Sequence, residues 1–255
     1  MKYASIIMVH YSLADDFGET RMGFRASPAR IASLKKSGFD MKDYTRSNLL
    51  KWTLESLIKN TVYPYELIVI DNGGKPDDTD YLLGLLREGK ITTLIRNRDN
   101  MCFGYGRNQG LGMATGDYVC IIDNDISFEK NWLKTCVELL EKYPDKKLIS
   151  SPYITPDKLQ QRYILPNLDG NRVNSSCGSN CMVMTRKTMD DIGEFQYGEI
   201  AGTFWHRNMS KLGYSVIVPP KDMVIHTGCM GGFNYKKRMK VFKTLSDNTK
   251  IMLYE

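Results

Sequence analysis

The sequence predicts an α/β fold: a mostly parallel central sheet flanked by helices, with a smaller second half of mixed strands. Three observations predict it. Short apolar runs alternate with amphipathic stretches of helical period through roughly the first 145 residues, the pattern of strands joined by crossover helices. Two of those runs end abruptly on Asp71 and Asp123. Beyond about residue 147 the rhythm changes to short strand-like pieces with fewer helices.

The elements follow in order. Residues 3–11, Tyr-Ala-Ser-Ile-Ile-Met-Val-His-Tyr, form an apolar run of strand formers. Residues 12–42 have weak periodicity, several glycines and the cations Arg21, Arg25, Arg30, Lys35 and Lys36. They read as an inserted long loop with a short helix: a functional lid, a surface excursion or a disordered segment. Residues 43–60 form an amphipathic helix with Leu49, Leu50, Trp52, Thr53, Leu57 and Ile58 on one side, and Pro64 closes the unit. A strand at 66–71 leads into the turn Asn72-Gly73-Gly74. A helix at 77–88, a strand at 91–96, a glycine-opened helix at 104–114, a strand at 117–123 and a helix at 129–143 continue the alternation. The second half reads as strands at 148–153, 161–165, 172–176 and 181–185, a helix at 203–212, strands at 215–219 and 223–226, and a basic helix from about 234. No internal repeat or low-complexity tract interrupts this order.

Composition narrows the class. The chain has 255 residues, 42% hydrophobic and 25% charged, enough for one sizeable core. A net charge of +6 suits phosphate-bearing small molecules, an anionic membrane surface or plain solubility, and is too weak to predict nucleic-acid binding. Six cysteines are scattered, only Cys177 and Cys181 lie close, and there is no CxxC. Free buried thiols in a reducing cytosol are therefore expected over disulfides or zinc. No secretory leader and no apolar run near 18 residues is present, so a cytoplasmic protein is expected, with peripheral contact at a membrane surface left open. Oligomeric state is not legible.

The chemistry concentrates at 117–125, where a short apolar strand ends in Asp123-Asn124-Asp125. Two carboxylates at a strand's carboxyl end suit a hard divalent cation, Mn2+ or Mg2+, which bridges readily to phosphate. A solvated Asp-Asn-Asp turn is the alternative. Asp71, at the end of a parallel neighbour, would open on the same edge, as a partner for base or ribose or as a turn-capping carboxylate. In Gly104-Tyr105-Gly106-Arg107-Asn108-Gln109-Gly110 the glycines would let backbone approach a ligand, and Arg107 would meet phosphate. The spacing is G-x-G-x-x-x-G and not the dinucleotide fingerprint, and it follows the third strand. That argues against an NAD(P)-dependent oxidoreductase.

Together these segments resemble the GT-A glycosyltransferases, and among them glycosyltransferase family 2. Residues 5–11 are similar to that family's opening strand, 66–73 to its second strand and 100–110 with 114–118 to its glycine-rich segment. Asp123-Asn124-Asp125 matches its D-x-D motif, Ile192-Gly193-Glu194-Phe195 its G-G-F segment, and Gly213-Tyr214 with Val224-Ile225-His226 its closing strand. The resemblance implies a Rossmann-like GT-A sheet in one domain. Its nucleotide-sugar-binding half would cover about 1–126, its acceptor-side half about 127–232, and a helical tail about 233–255. It implies a metal-dependent, inverting transfer of sugar from a nucleoside-diphosphate donor to the hydroxyl of a glycan, polysaccharide or lipid-linked saccharide.

Carried over residue by residue, the resemblance places Asp123, Asp125 and His226 at the metal. It places His10, Tyr11, Asp71, Asn72, Gly104, Arg107, Asn108, Asp123 and Asn124 around the nucleotide sugar. Trp205 is expected to stack on an acceptor ring or to belong to the core, as are Phe204 and Trp132. The sequence departs from the family at its acidic pair. Glu199 is the carboxylate left there, and Ile200 stands at the aspartate position. Glu199 is then expected as the catalytic base, and a retaining mechanism or an inactive sugar-nucleotide binder stays open.

Overall fold

The computed structural model describes residues 1–12, 46–152, 164–175, 180–196 and 201–226. The insertion read at 12–42, except Ser12, and the basic tail helix from 234 lie outside the described residues. The first strand, β1 (Ala4–His10), is followed by helix α1 (Arg46–Asn60), β2 (Tyr65–Asn72), α2 (Pro76–Arg87), β3 (Thr93–Asn97), α3 (Phe103–Met113) and β4 (Tyr118–Ile122). Beyond them come β5 (Ile126–Phe128), α4 (Trp132–Lys142), β6 (Leu148–Ser150), β7 (Ile164–Leu168) and β8 (Asn171–Asn174). The chain continues through β9 (Cys181–Thr185), α5 (Arg186–Ile192), α6 (Ala201–Lys211), β10 (Ser215–Val218) and β11 (Val224–His226).

Among the described residues nine strands form one sheet in the order β3-β2-β1-β4-β9-β6-β10-β8-β7. The β3-β2-β1-β4 portion is parallel throughout. β9 then enters antiparallel between β4 and β6, β10 returns parallel to β6, and β8 and β7 close that side antiparallel. The chain leaves β1 for β2 and β3 on one side, then comes back to β4 on the other. That reversal makes a switch point at the carboxyl ends of β1 and β4, the place where open α/β sheets bind ligands. β5 and β11 pair separately and antiparallel, with Ile126 opposite His226.

Alternation along the strands sorts side chains to two cores. Ile6, Met8, Leu67, Val69, Cys120 and Ile122 pack under α1, α2 and α4. Ile7, Ile68, Ile70, Val119 and Ile121 pack on the other face with Met189 and Ile192 of α5 and with Trp205 and Met209 of α6. β1, β2 and β4 are buried on both faces, hence their unbroken apolar runs.

Three details differ from the sequence reading. β5 and α5 were not expected: each is short, and three or seven residues carry too little period to register. The expected strand at 161–165 is β7 at Ile164–Leu168. It contains Pro166 and lies at the sheet's edge, where a residue without a backbone donor is tolerated. Gly106 and Gly110 of α3 face the sheet. A Cβ on Gly110 would collide with Ile7, and one on Gly106 would come within 2.9 Å of Val9 Cγ1. The helix therefore sits directly on β1 and β2 because its underside is bare.

Candidate active site

The parallel register brings His10 beside Asp71, and the Asp123-Asn124-Asp125 turn leaves β4 on the same edge. Each residue of that turn has a different anchor. Asp123 donates its backbone N–H to Asn180 O at 2.8 Å, and its carboxylate accepts from Arg107 Nη2 at 2.9 Å. Asn124 turns inward, its Nδ2 at 2.7 Å from His10 Nδ1. Asp125 accepts from Arg46 Nη1 at 3.1 Å. Asp123 keeps 27% of its side chain exposed, whereas Asp125 keeps 8%.

Arg107, expected from the sequence to meet phosphate, is buried. Its side chain is 1% exposed, with the guanidinium carbon 3.5 Å from the Phe103 ring centroid and 5.0 Å from that of Phe195. Burial lowers its pKa to about 10, against the opposing pull of Asp123. Held between aromatic faces, it orients Asp123 from below. Asn108, one residue on, also works inside the protein. Its Nδ2 donates to Phe195 O at 2.8 Å and its Oδ1 accepts from Phe195 N at 2.9 Å. Gly104 is buried in the first turn of α3.

At the other end of the edge, His10 is fully buried. Its Nε2 lies 3.0 Å from Asp78 Oδ2, which also accepts from Ser12 Oγ at 2.6 Å. Ser12 Oγ in turn accepts from Lys75 N at 3.0 Å. Burial raises the Asp78 pKa, but hydrogen bonds from His10, Ser12 and Ser47 outweigh it and bring it down to about 2. A string thus runs from Asn124 through His10 to the first turn of α2. Asp71 is also fully buried, accepting from Gly74 N at 2.8 Å and from the Thr79 hydroxyl. Both its oxygens are used within the protein, so of its two readings the turn-capping one describes its contacts. Asn72 latches the loop before α3, accepting from Asn97 Nδ2 and Met101 N and donating to Asn100 Oδ1. Tyr11 is half-buried beside them.

Trp205 does not offer a face to a sugar. It is 2% exposed, stacked on Phe195 with centroids 5.2 Å apart, and its Nε1 donates to Gly193 O at 3.0 Å. Trp132 is core too, its Nε1 donating to Thr61 Oγ1 at 2.9 Å. The physical reason is common to both: an indole buries more surface than it can usefully show, provided its N–H finds an acceptor. Beside Trp205, His206 is held neutral, its pKa lowered to about 4 by burial and by the nearby Arg107.

Glu199 lies outside the described residues, and so does the side chain of His226. The backbone pairing sets His226 opposite Ile126, the neighbour of Asp125. Among the described residues no three His, Cys, Asp or Glu side chains form a metal cluster, so the described part of the expected set is the two aspartates. Their oxygen donors are of the type a hard cation takes. Sequence reasoning missed Arg46 and Asp78, and finds no support for a ligand role at His206. Asp78 had a signal, an acidic first turn behind Pro76. Arg46 had none, since it abuts an aperiodic basic stretch.

A largely parallel sheet with a carboxylate pair at its switch point, joined to a mixed half that carries α5 and α6, has the GT-A architecture. The chain belongs to glycosyltransferase family 2: residues 43–210 match the model of Glycosyl transferase family 2. It is similar to the glucosyl-dolichyl phosphate glucuronosyltransferase of Haloferax volcanii, 30% identical over 105 residues, 41% of this chain and 33% of the relative. It is also similar to the chondroitin synthase of Escherichia coli, 33% identical over 102 residues, 38% of this chain and 14% of the relative. The matched stretches thus span a third or less of those relatives' lengths.

Among solved structures, the fold is similar to the mannosyltransferase PcManGT of Pyrobaculum calidifontis in complex with GDP-Man and Mn2+. The TM-score is 0.62 at 14% identity, over 98% of this chain and 65% of that one. It is also similar to GalNAc-T7 with UDP, GalNAc and Mn2+, with a TM-score of 0.59 at 14% identity over 89% of this chain and 44% of that one. Among the described residues no helix is long and apolar enough to cross a membrane.

Proposed function

We propose that this chain is a metal-dependent glycosyltransferase domain that moves a sugar from a nucleoside-diphosphate donor to an acceptor hydroxyl, with inversion at the anomeric carbon. The observation that carries the reading is the Asp123–Asp125 turn at the sheet's switch point, oriented by Arg107, His10 and Arg46. Asp123, Asp125 and His226 would hold Mn2+ or Mg2+, which supplies neutralisation of the charge that develops on the departing diphosphate. Arg107 fixes the Asp123 carboxylate, and His10 fixes Asn124 between the two ligands. The crevice beside β1 and β2 takes the nucleoside, with Asn72 and Tyr11 shaping its wall. Asp71 acts there through the Gly74 turn it braces. Asn108 ties α3 to Phe195 and so joins the donor half, about 1–126, to the acceptor half, about 127–232.

The acceptor is a glycan or a lipid-linked saccharide, which the names of the two relatives support: one acts on a dolichyl phosphate-linked sugar and the other makes a polysaccharide. Glu199 takes the proton of the attacking hydroxyl, so that the oxygen can form its bond as the diphosphate leaves. Glu199→Gln keeps size and hydrogen bonding but removes the base. It should lower turnover about a hundredfold or more with nucleotide affinity nearly unchanged. A variant within about threefold of the parent, or a product that keeps the donor's anomeric configuration, excludes that role.

A further inference from the structure

Two aspartates leave β4, and each has its own arginine. Asp123 is paired with Arg107 at 2.9 Å and Asp125 with Arg46 at 3.1 Å. The two arginines are not equivalent. Arg107 is 1% exposed and locked between Phe103 and Phe195, so it has no second position. Arg46 is the first residue of α1 and 14% exposed, on a long side chain at the helix's edge. A divalent cation at Asp125 would meet a guanidinium already on the same carboxylate. Two like charges on one carboxylate repel strongly where water is scarce, so one must give way, and Arg46 is the one that can. The group a displaced guanidinium would meet is the donor's diphosphate, drawn to the same carboxylate through the cation. Planar, forked N–H donors are well matched to phosphate oxygens.

We propose that Arg46 is a charge-exchange residue: it holds Asp125 until a divalent cation binds, then turns to the diphosphate of the donor. This rests on the metal-dependent reading above and adds to it a positioning residue for the donor, outside the family motifs this chain carries. It makes cation and nucleotide binding cooperative, because the cation alone must displace Arg46 whereas cation with diphosphate gives it a new partner.

The test is calorimetric, on the whole 255-residue chain, with Mn2+ alone and with the nucleoside diphosphate that gives the largest Mn2+-dependent stabilisation among UDP, GDP, CDP and dTDP. Arg46→Gln should bind Mn2+ alone several-fold tighter and the nucleotide with Mn2+ about tenfold weaker, because a charge-assisted contact is lost. Arg46→Lys, with the charge but not the fork, should fall between parent and Gln on both. A purely structural arginine would move both constants the same way, and that outcome, or no change in either, overturns the proposal. Asp125→Asn separates the two failures. If it loses Mn2+ while Arg46→Gln behaves as parent, the charge exchange alone is wrong. If neither the parent nor Arg46→Gln binds Mn2+, the metal-dependent reading fails and takes the proposal with it.

Discussion

Asn108 illustrates how a residue beside a predicted ligand-binding motif can be structural. Its amide closes on both the N–H and the C=O of Phe195, doing for two separate segments what a strand pair does for a sheet. Asn108→Ala would leave the Phe195 backbone polar groups without these partners, at about 1–3 kcal/mol for an unsatisfied buried group. We expect the melting temperature to drop by several degrees, with Mn2+-dependent nucleotide binding weakened less than stability. A variant that melts with the parent would show that this tie carries nothing. At this scale the carboxylates, His10 and the asparagines were legible as polar residues in apolar company. Their directions were not. Arg107 reads as a phosphate ligand in a linear motif and sits instead under Asp123, because one of the two rings packed on it, Phe195, comes from a distant segment of the chain while Phe103 lies one turn away on the same helix.

Two elements make separate predictions. The first turn of α2 holds Asp78 against His10 and Ser12, with its pKa lowered from an ordinary 3.8 to about 2. A depressed carboxylate stabilises the fold fully above its unfolded value and loses that contribution as pH falls through its folded one. The window therefore runs from about pH 4 down to about pH 2, and the amount at neutral pH is roughly 2 kcal/mol. Acid melts of the parent should steepen in that window, and Asp78→Asn should flatten them while lowering stability at pH 7. Parallel curves would show that Asp78 is not the group responsible. Helix α3 sets two effects against each other. Gly110→Ala gains about 1 kcal/mol of helix propensity, but its Cβ must push into Ile7 beneath a sheet with no slack. Overpacking of that kind costs about 1–3 kcal/mol, so the net effect should be destabilising by calorimetry. Gly112, whose Cβ would meet nothing within 4 Å, is the matched control and should be neutral or stabilised as Ala. The helix itself was legible from its pattern. That its glycines face the sheet was not, because the distance between a helix and a strand has no signature in either one.

The whole molecule answers to its ligands by mass action. A nucleoside diphosphate with Mn2+ at a hundredfold excess over its dissociation constant should add about 2.7 kcal/mol, or roughly 5–10 °C in melting temperature for a chain of this size. Chelation by EDTA should remove that shift. Asp125→Asn should abolish it while leaving the apo protein folded, at a cost of about 3 kcal/mol for breaking its largely buried ion pair with Arg46. A shift that survives EDTA, or one of equal size in Asp125→Asn, would mean that the nucleotide is held without the D-x-D turn.

What the sequence determined by itself is the order of strands and helices through β4, the two-sided burial of the central strands and the family. Each of these is written in local period and in motifs a few residues long. Only the tertiary structure decided what the site residues touch. Asp71 and His10 could each have faced a ligand or the core, and a crossover connection carrying α1 between β1 and β2 brings them together and buries both. The Arg46–Asp125 pair spans 79 positions along the chain. Contacts of that range depend on how layers stack, and neither residue's neighbours in sequence carry that information.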